Sequence, residues 1–252
     1  MSGKFSKDIV KMNIADAVQR IKAAAEETGR SLDDVTLLAA TKTVDAETIN
    51  FAISCGIKCI GENRVQELLE KYDAVNKENV DIHFIGRLQT NKVKYIADKV
   101  SLIHSVDSEK LAREIDKQCG KIGKIMDVLV EVNIGGEESK GGIAPEQLEE
   151  FLFNISSLKN IRIVGLMCIP PVCINDVSVG ENEQMCTNTK KSYKNQAFFE
   201  KIMKLFLDIS QKKLDNIYMQ VLSMGMSDDF DVAVREGSTI VRIGRGIFGS
   251  RN

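Results

Sequence analysis

Short apolar, β-branched runs recur along the chain at Val35–Thr41, Cys59–Gly61, Ile82–Ile85, Leu102–Ser105, Val128–Val132, Ile163–Met167, Ile217–Leu222 and Thr239–Ile243. The stretches between them carry a helical period instead: Ala46–Ser54, Arg64–Val75, Thr90–Ala97, Ser108–Cys119, Pro145–Leu158 and Phe198–Lys212. Ahead of both, an opening helix from roughly Lys7 to Thr28 aligns Ile14, Ala17, Val18, Ile21 and Ala25 on one face. Strand-like runs alternating with amphipathic helices are the pattern of βα units in a parallel sheet. The count of such runs points to an α/β fold, a single (β/α)8 TIM-type barrel with an extra N-terminal helix. A doubly wound open sheet is the alternative, but it seldom carries so many evenly spaced strands in this length.

The regularity breaks between 170 and 196, a polar stretch rich in Asn, Ser, Thr and Lys that reads as a flexible insert after the sixth strand. No Pro/Gly-rich linker divides the rest, so residues 1–252 are expected to form one domain.

Composition narrows the chemistry. The chain is 43% hydrophobic and 28% charged, with a formal net charge of -2, which gives no electrostatic reason to expect nucleic acid as a partner. Six cysteines are scattered without a CxxC pair, and only two histidines, His83 and His104, are present, so neither a disulfide framework nor a metal site is expected. The N-terminus has no signal-peptide apolar core and no run is long enough to span a bilayer, which implies a cytoplasmic protein.

In a barrel, functional groups gather where the strands end, because the βα loops share one mouth. Lys42 follows the first run, Asn63 the second, and His83 lies in the third, D-I-H-F-I-G. The last two runs break into turns of small and cationic residues, S-M-G-M-S-D-D-F (223–230) and V-R-I-G-R-G-I-F-G (241–249). Such turns bring backbone N–H groups close to a phosphate. A partly desolvated lysine at the same mouth can form a Schiff base with an aldehyde anchored there by its phosphate. Strand alternation places Arg242 opposite Val241 and Ile243, toward the barrel mouth, where it faces either an internal carboxylate or the nitrogen of a pyridine ring. Asp228 and Asp229 repel a phosphate, which leaves Gly244, Arg245 and a serine hydroxyl as the expected phosphate ligands. His83 on its own reads better as a satisfied structural polar group.

The motifs K-T-V after the first run, G-E-N-R-V-Q-E (61–67), H-F-I-G-R-L-Q-T-N-K (83–92), V-N-I-G-G-E-E-S-K-G-G (132–142) and the two terminal turns occur in order. Together they resemble the YggS/PROSC-type (proline synthetase co-transcribed) pyridoxal phosphate homeostasis family. The resemblance implies a barrel like the N-terminal domain of alanine racemases, with pyridoxal 5'-phosphate (PLP) held as a covalent aldimine on Lys42. It also implies Arg242 at the pyridine nitrogen, Asn63 and His83 near the ring, and Ser223, Gly225, Ser227, Gly244 and Arg245 around the phosphate. The implied role is storage, delivery or regulation of PLP by a carrier without established turnover, a monomer whose partners are PLP and apo PLP-dependent enzymes, with no membrane association. Arg245 departs from the family, which usually has Thr there, and Val44 stands where a second lysine is common.

An amino-acid racemase with Lys42 as one base is the alternative, and a PLP-free phosphosugar enzyme a third reading. Racemisation needs a second base on the other face, which His83 or a partner chain could supply. The chain ends shortly after the eighth run, so the β-rich second domain that carries this base in racemases is expected to be absent.

Overall fold

A computed structural model describes residues 6–137, 141–171, 189–212 and 214–249. Eight parallel strands close into a barrel in sequence order: β1 (Thr36–Ala40), β2 (Cys59–Glu62), β3 (Asp81–Phe84), β4 (Leu102–Val106), β5 (Met126–Val132), β6 (Ile161–Cys168), β7 (Ile217–Ser223) and β8 (Ile240–Ile243). Closure comes from β8 pairing with β1, with Leu38 opposite Arg242.

The helices are α1 (Lys7–Glu26), α2 (Ala46–Ser54), α3 (Val65–Tyr72), α4 (Val93–Ile96), α5 (Glu109–Lys121), α6 (Leu148–Ile155), α7 (Thr189–Ser210), α8 (Phe230–Arg235) and α9 (Arg245–Phe248). α1 is the additional helix. It buries Ile14, Ala17, Ile21 and Ala24, packs against α8 and α9, and is tied down by Asn13 Nδ2, which donates to the Ile247 carbonyl at 2.9 Å.

Period-2 alternation sorts the strand residues into two cores. Ala39, Val241 and Ile243 face outward into the layer shared with the helices. Leu38, Ala40, Leu129, Met167 and Ile240 face inward and fill the barrel. Arg242 lies between Val241 and Ile243 on β8 and therefore points inward, as its sequence neighbours imply.

The insert is shorter than the sequence suggests. The structure begins α7 at Thr189, so the helix takes in the last part of the polar stretch, and Asn195 is buried. The remainder, 172–188, lies outside the described residues, as do Cys173 and Cys186. Cys55, Cys59, Cys119 and Cys168 are free thiols. Among the described residues no helix is long and apolar enough to cross a membrane, and no cluster of His, Cys, Asp and Glu is arranged to hold a metal.

Candidate functional site at the barrel mouth

Lys42 stands in the turn between β1 and α2, and the backbone on both sides of it is pinned. Thr41 N donates to the Gly61 carbonyl at 3.0 Å, and Val44 N closes the turn on the Thr41 carbonyl. Thr43 has φ 64°, a left-handed conformation that is strained for a β-branched residue. Its N–H donates to Glu67 Oε2 at 2.8 Å. Asp45 then caps α2 by accepting from Thr48 N at 2.8 Å. Beneath this turn lies a buried ionic cluster. Thr41 Oγ1 donates to Glu62 Oε1 at 2.7 Å, and Lys71 Nζ donates to the same oxygen and to the Thr41 carbonyl, each at 3.0 Å. Burial pushes the Glu62 carboxyl up from its usual range, while Thr41 and Lys71 pull it back.

Across the mouth, Arg242 is buried and donates from Nη1 to Ser223 Oγ at 2.6 Å and from Nη2 to the Cys168 carbonyl at 2.9 Å. Among the described residues it forms no ion pair. The internal carboxylate that could have explained an inward arginine is therefore not bonded to it. The nearest carboxylates felt by its charge are Glu131 and Asp229.

The two terminal turns meet beside it. Gly225 has φ 89°, and a Cβ there would lie 2.5 Å from Ala233 Cβ, so only glycine fits. Its carbonyl accepts from Arg242 N. Ser227 Oγ accepts from Gly246 N at 3.0 Å, which links the two turns directly. Asp229 does not repel ligands freely. It turns inward, accepting from Met226 N at 2.7 Å and from Asn195 Nδ2 at 2.6 Å, and burial raises its carboxyl. Asp228 faces outward instead, accepting from Arg245 Nη2 at 2.9 Å.

These elements enclose a cavity of about 880 Å³ lined by Lys42, Asn63, Arg87, Glu131, Asn195, Ser227, Arg242, Gly244 and Arg245, among others. This volume is in the range of small-molecule sites. Asn63 Oδ1 is buried in the wall without a hydrogen-bond partner. Glu131 follows the inward alternation of β5, and burial raises its carboxyl against the pull of Arg242 and Arg87.

Two of the expected site residues are not at the mouth. His83 is buried within the barrel and lines a separate cavity of about 530 Å³ at the opposite end, beside Asp81, Asp127 and Arg162. It is the third of four residues in β3, and strand tilt in a closed barrel places it below the mouth. Ser223 has no exposed surface, and its hydroxyl is spent on Arg242 and His104, so it faces the interior rather than a phosphate. Arg245 is at the mouth, but its guanidinium is paired with Asp228 in solvent.

The model of the alanine racemase N-terminal domain matches residues 13–252. A pyridoxal phosphate homeostasis protein of Aquifex aeolicus is 44% identical over 94% of this chain and 96% of its own length. The chain belongs to this family. Family members from Pseudomonas aeruginosa and Escherichia coli are 36% and 34% identical, each covering 95% of this chain. Among solved structures, PipY of Synechococcus elongatus with PLP bound superposes with a TM-score of 0.75 at 29% identity, covering 92% of this chain and 99% of its own. An unknown protein from Bifidobacterium adolescentis gives 0.84 at 33% identity, covering 96% and 95%. Alanine racemase of Clostridium difficile, 16% identical, shares the fold at a TM-score of 0.65, with 57% of its chain covered.

The features of the site that sequence reasoning missed are Glu131, Asn195 and the position of His104, while Asp229 was read only as a charge that repels phosphate. Glu131 and His104 each interrupt an otherwise apolar run, in V-L-V-E-V and L-I-H-S-V, and that interruption was the available signal. Nothing local marks Asn195, which lies in a polar stretch and becomes buried only through α7 docking.

Proposed function

We propose that this chain binds PLP at the barrel mouth and serves intracellular PLP homeostasis, storing or delivering the cofactor. The observation that carries the reading is the meeting of Lys42, Arg242, the unpartnered Asn63 oxygen and two linked turns in one cavity, in a chain of this family. The residues present fit the group. Lys42 supplies an amine on a rigid turn for covalent attachment. Arg242 supplies a buried guanidinium for the pyridine nitrogen, and Asn63 an amide for the ring substituents. Gly225, Ser227, Gly244 and the backbone of Arg245 supply the phosphate end.

When bound, PLP provides an aldehyde that amines capture reversibly. A guanidinium facing the ring nitrogen keeps that nitrogen unprotonated and so weakens electron withdrawal by the ring. That favours a carrier over a racemase. The racemase reading draws no support from His83, whose imidazole bonds His104 inside the barrel. We further propose that the chain works as one domain, in the cytoplasm, as a monomer that meets apo PLP-dependent enzymes.

The test is the visible absorbance of purified protein after incubation with PLP and dialysis. A retained band that disappears in Lys42→Ala supports the reading. A protein that retains no band, or retains it unchanged in Lys42→Ala, overturns it.

A further inference from the structure

A series of polar groups crosses the barrel interior from the mouth toward the opposite end. Arg242 Nη1 donates to Ser223 Oγ at 2.6 Å, and Ser223 Oγ lies 3.0 Å from His104 Nδ1. His104 Nε2 lies 3.0 Å from His83 Nδ1, and Cys59 Sγ closes the series 3.5 Å from the His83 ring. All five side chains are buried, and His104 and Ser223 have no exposed surface.

The direction of this series follows from donor counting. A guanidinium can only donate, so Ser223 Oγ must accept from Arg242. The serine has a single proton, and among the described residues the one acceptor within its reach is His104 Nδ1. Nδ1 is therefore bare and the His104 proton sits on Nε2, from where it is donated to His83 Nδ1. Burial, His83 and Arg242 all hold His104 well below the ordinary histidine range, and burial lowers His83 to about 4, so both rings are neutral at physiological pH.

We propose that His104 is a positioning residue for Arg242: by accepting the hydrogen bond of the Ser223 hydroxyl, it leaves a serine lone pair aimed at Nη1 and so fixes the guanidinium at the mouth. The inference rests on the PLP reading for its consequence, but the hydrogen-bond order can be measured without the cofactor. If His104 were merely a space-filling core residue, an apolar side chain of similar size would replace it without effect on the ring environment. If it positions Arg242, the apolar substitution leaves the serine hydroxyl free to rotate, so its lone pair is no longer held on Nη1 and the guanidinium loses its fixed partner.

The experiment uses the whole protein. In 15N-histidine NMR of the PLP-free protein, His104 is expected as the Nε2–H tautomer with a bare Nδ1. A protonated Nδ1 on His104 overturns the proposal whatever the cofactor does. The Arg242 Nη protons are expected as slowly exchanging signals that persist in His104→Asn, which keeps an acceptor for Ser223, and broaden in His104→Leu. In the PLP-loaded protein, His104→Leu is expected to shift the absorbance maximum and to weaken retention roughly tenfold, with His104→Asn close to wild type. Lower stability of His104→Leu with unchanged Arg242 signals and unchanged absorbance overturns the proposal. A wild-type protein that retains no PLP sinks the cofactor reading alone, and the tautomer and Arg242 signals then decide the proposal.

Discussion

Arg245 and Asp228 form an ion pair 2.9 Å long on the rim of the barrel mouth, with 61% and 45% of their side-chain surfaces exposed. This pairing resolves the departure from the family pattern at position 245. The Arg245 guanidinium is held by Asp228 at the solvent-exposed rim of the cavity lining.

Arg245→Ala should therefore change PLP affinity by less than about threefold, since exposed ion pairs contribute only about 0–1 kcal/mol. Equilibrium dialysis against PLP measures it. A loss beyond tenfold would place the guanidinium on the phosphate.

The cluster beneath Lys42 is a stronger determinant. Glu62 is buried, Lys71 is half-buried beside it, and the two share a 3.0 Å contact. Lys71→Met leaves the Glu62 carboxyl without its cation and should lower stability by about 3 kcal/mol in urea denaturation. Pairing it with Glu62→Leu should recover most of that loss, because the buried charge then disappears. If the double variant is no more stable than Lys71→Met, the cluster is not an ionic support for the Lys42 turn.

The buried histidines set a pH dependence with a definite sign. Their folded-state values lie below 6.5, so the unfolded chain takes up protons first as pH falls. Stability is thus fully present above the unfolded value and lost as pH drops through 6.5 toward about 4. Glu62, Glu131 and Asp229 act in the opposite sense, because burial raises them. Comparing wild type with His104→Asn isolates the histidine part. Between pH 6 and 5 the variant should lose stability less steeply, by about 1 kcal/mol per pH unit. Equal slopes would mean that His104 is not held neutral in the folded state.

The barrel was legible because each strand is an apolar run and each is followed by a helical period. The boundaries moved by one or two residues, as for β3, expected at Ile82–Ile85 and found at Asp81–Phe84. Inward orientation of Arg242 was legible from Val241 and Ile243 alone. Depth along the barrel was not. His83 lies inside its run and Asn63 just past the end of its own, and both were expected at the mouth, yet the barrel puts one in the lower interior and the other in the mouth wall. Ser223 sits deeper than the turn for a related reason, since it is still the last residue of β7 rather than the first of the turn. The start of α7 was hidden because T-K-K-S-Y-K-N-Q carries no apolar period, and docking of Asn195 onto Asp229 is a tertiary event. Four-residue α9 is too short to show a period at all.

The central claim is that Lys42 carries PLP covalently at this mouth. Reduction of the PLP-loaded protein with borohydride, followed by proteolysis and peptide mass spectrometry, tests it most directly. A phosphopyridoxyl mass on the peptide containing Lys42, and its absence in Lys42→Ala, is the expected result. The same mass mapped to a different lysine in the wild-type protein, or to none, would contradict the account.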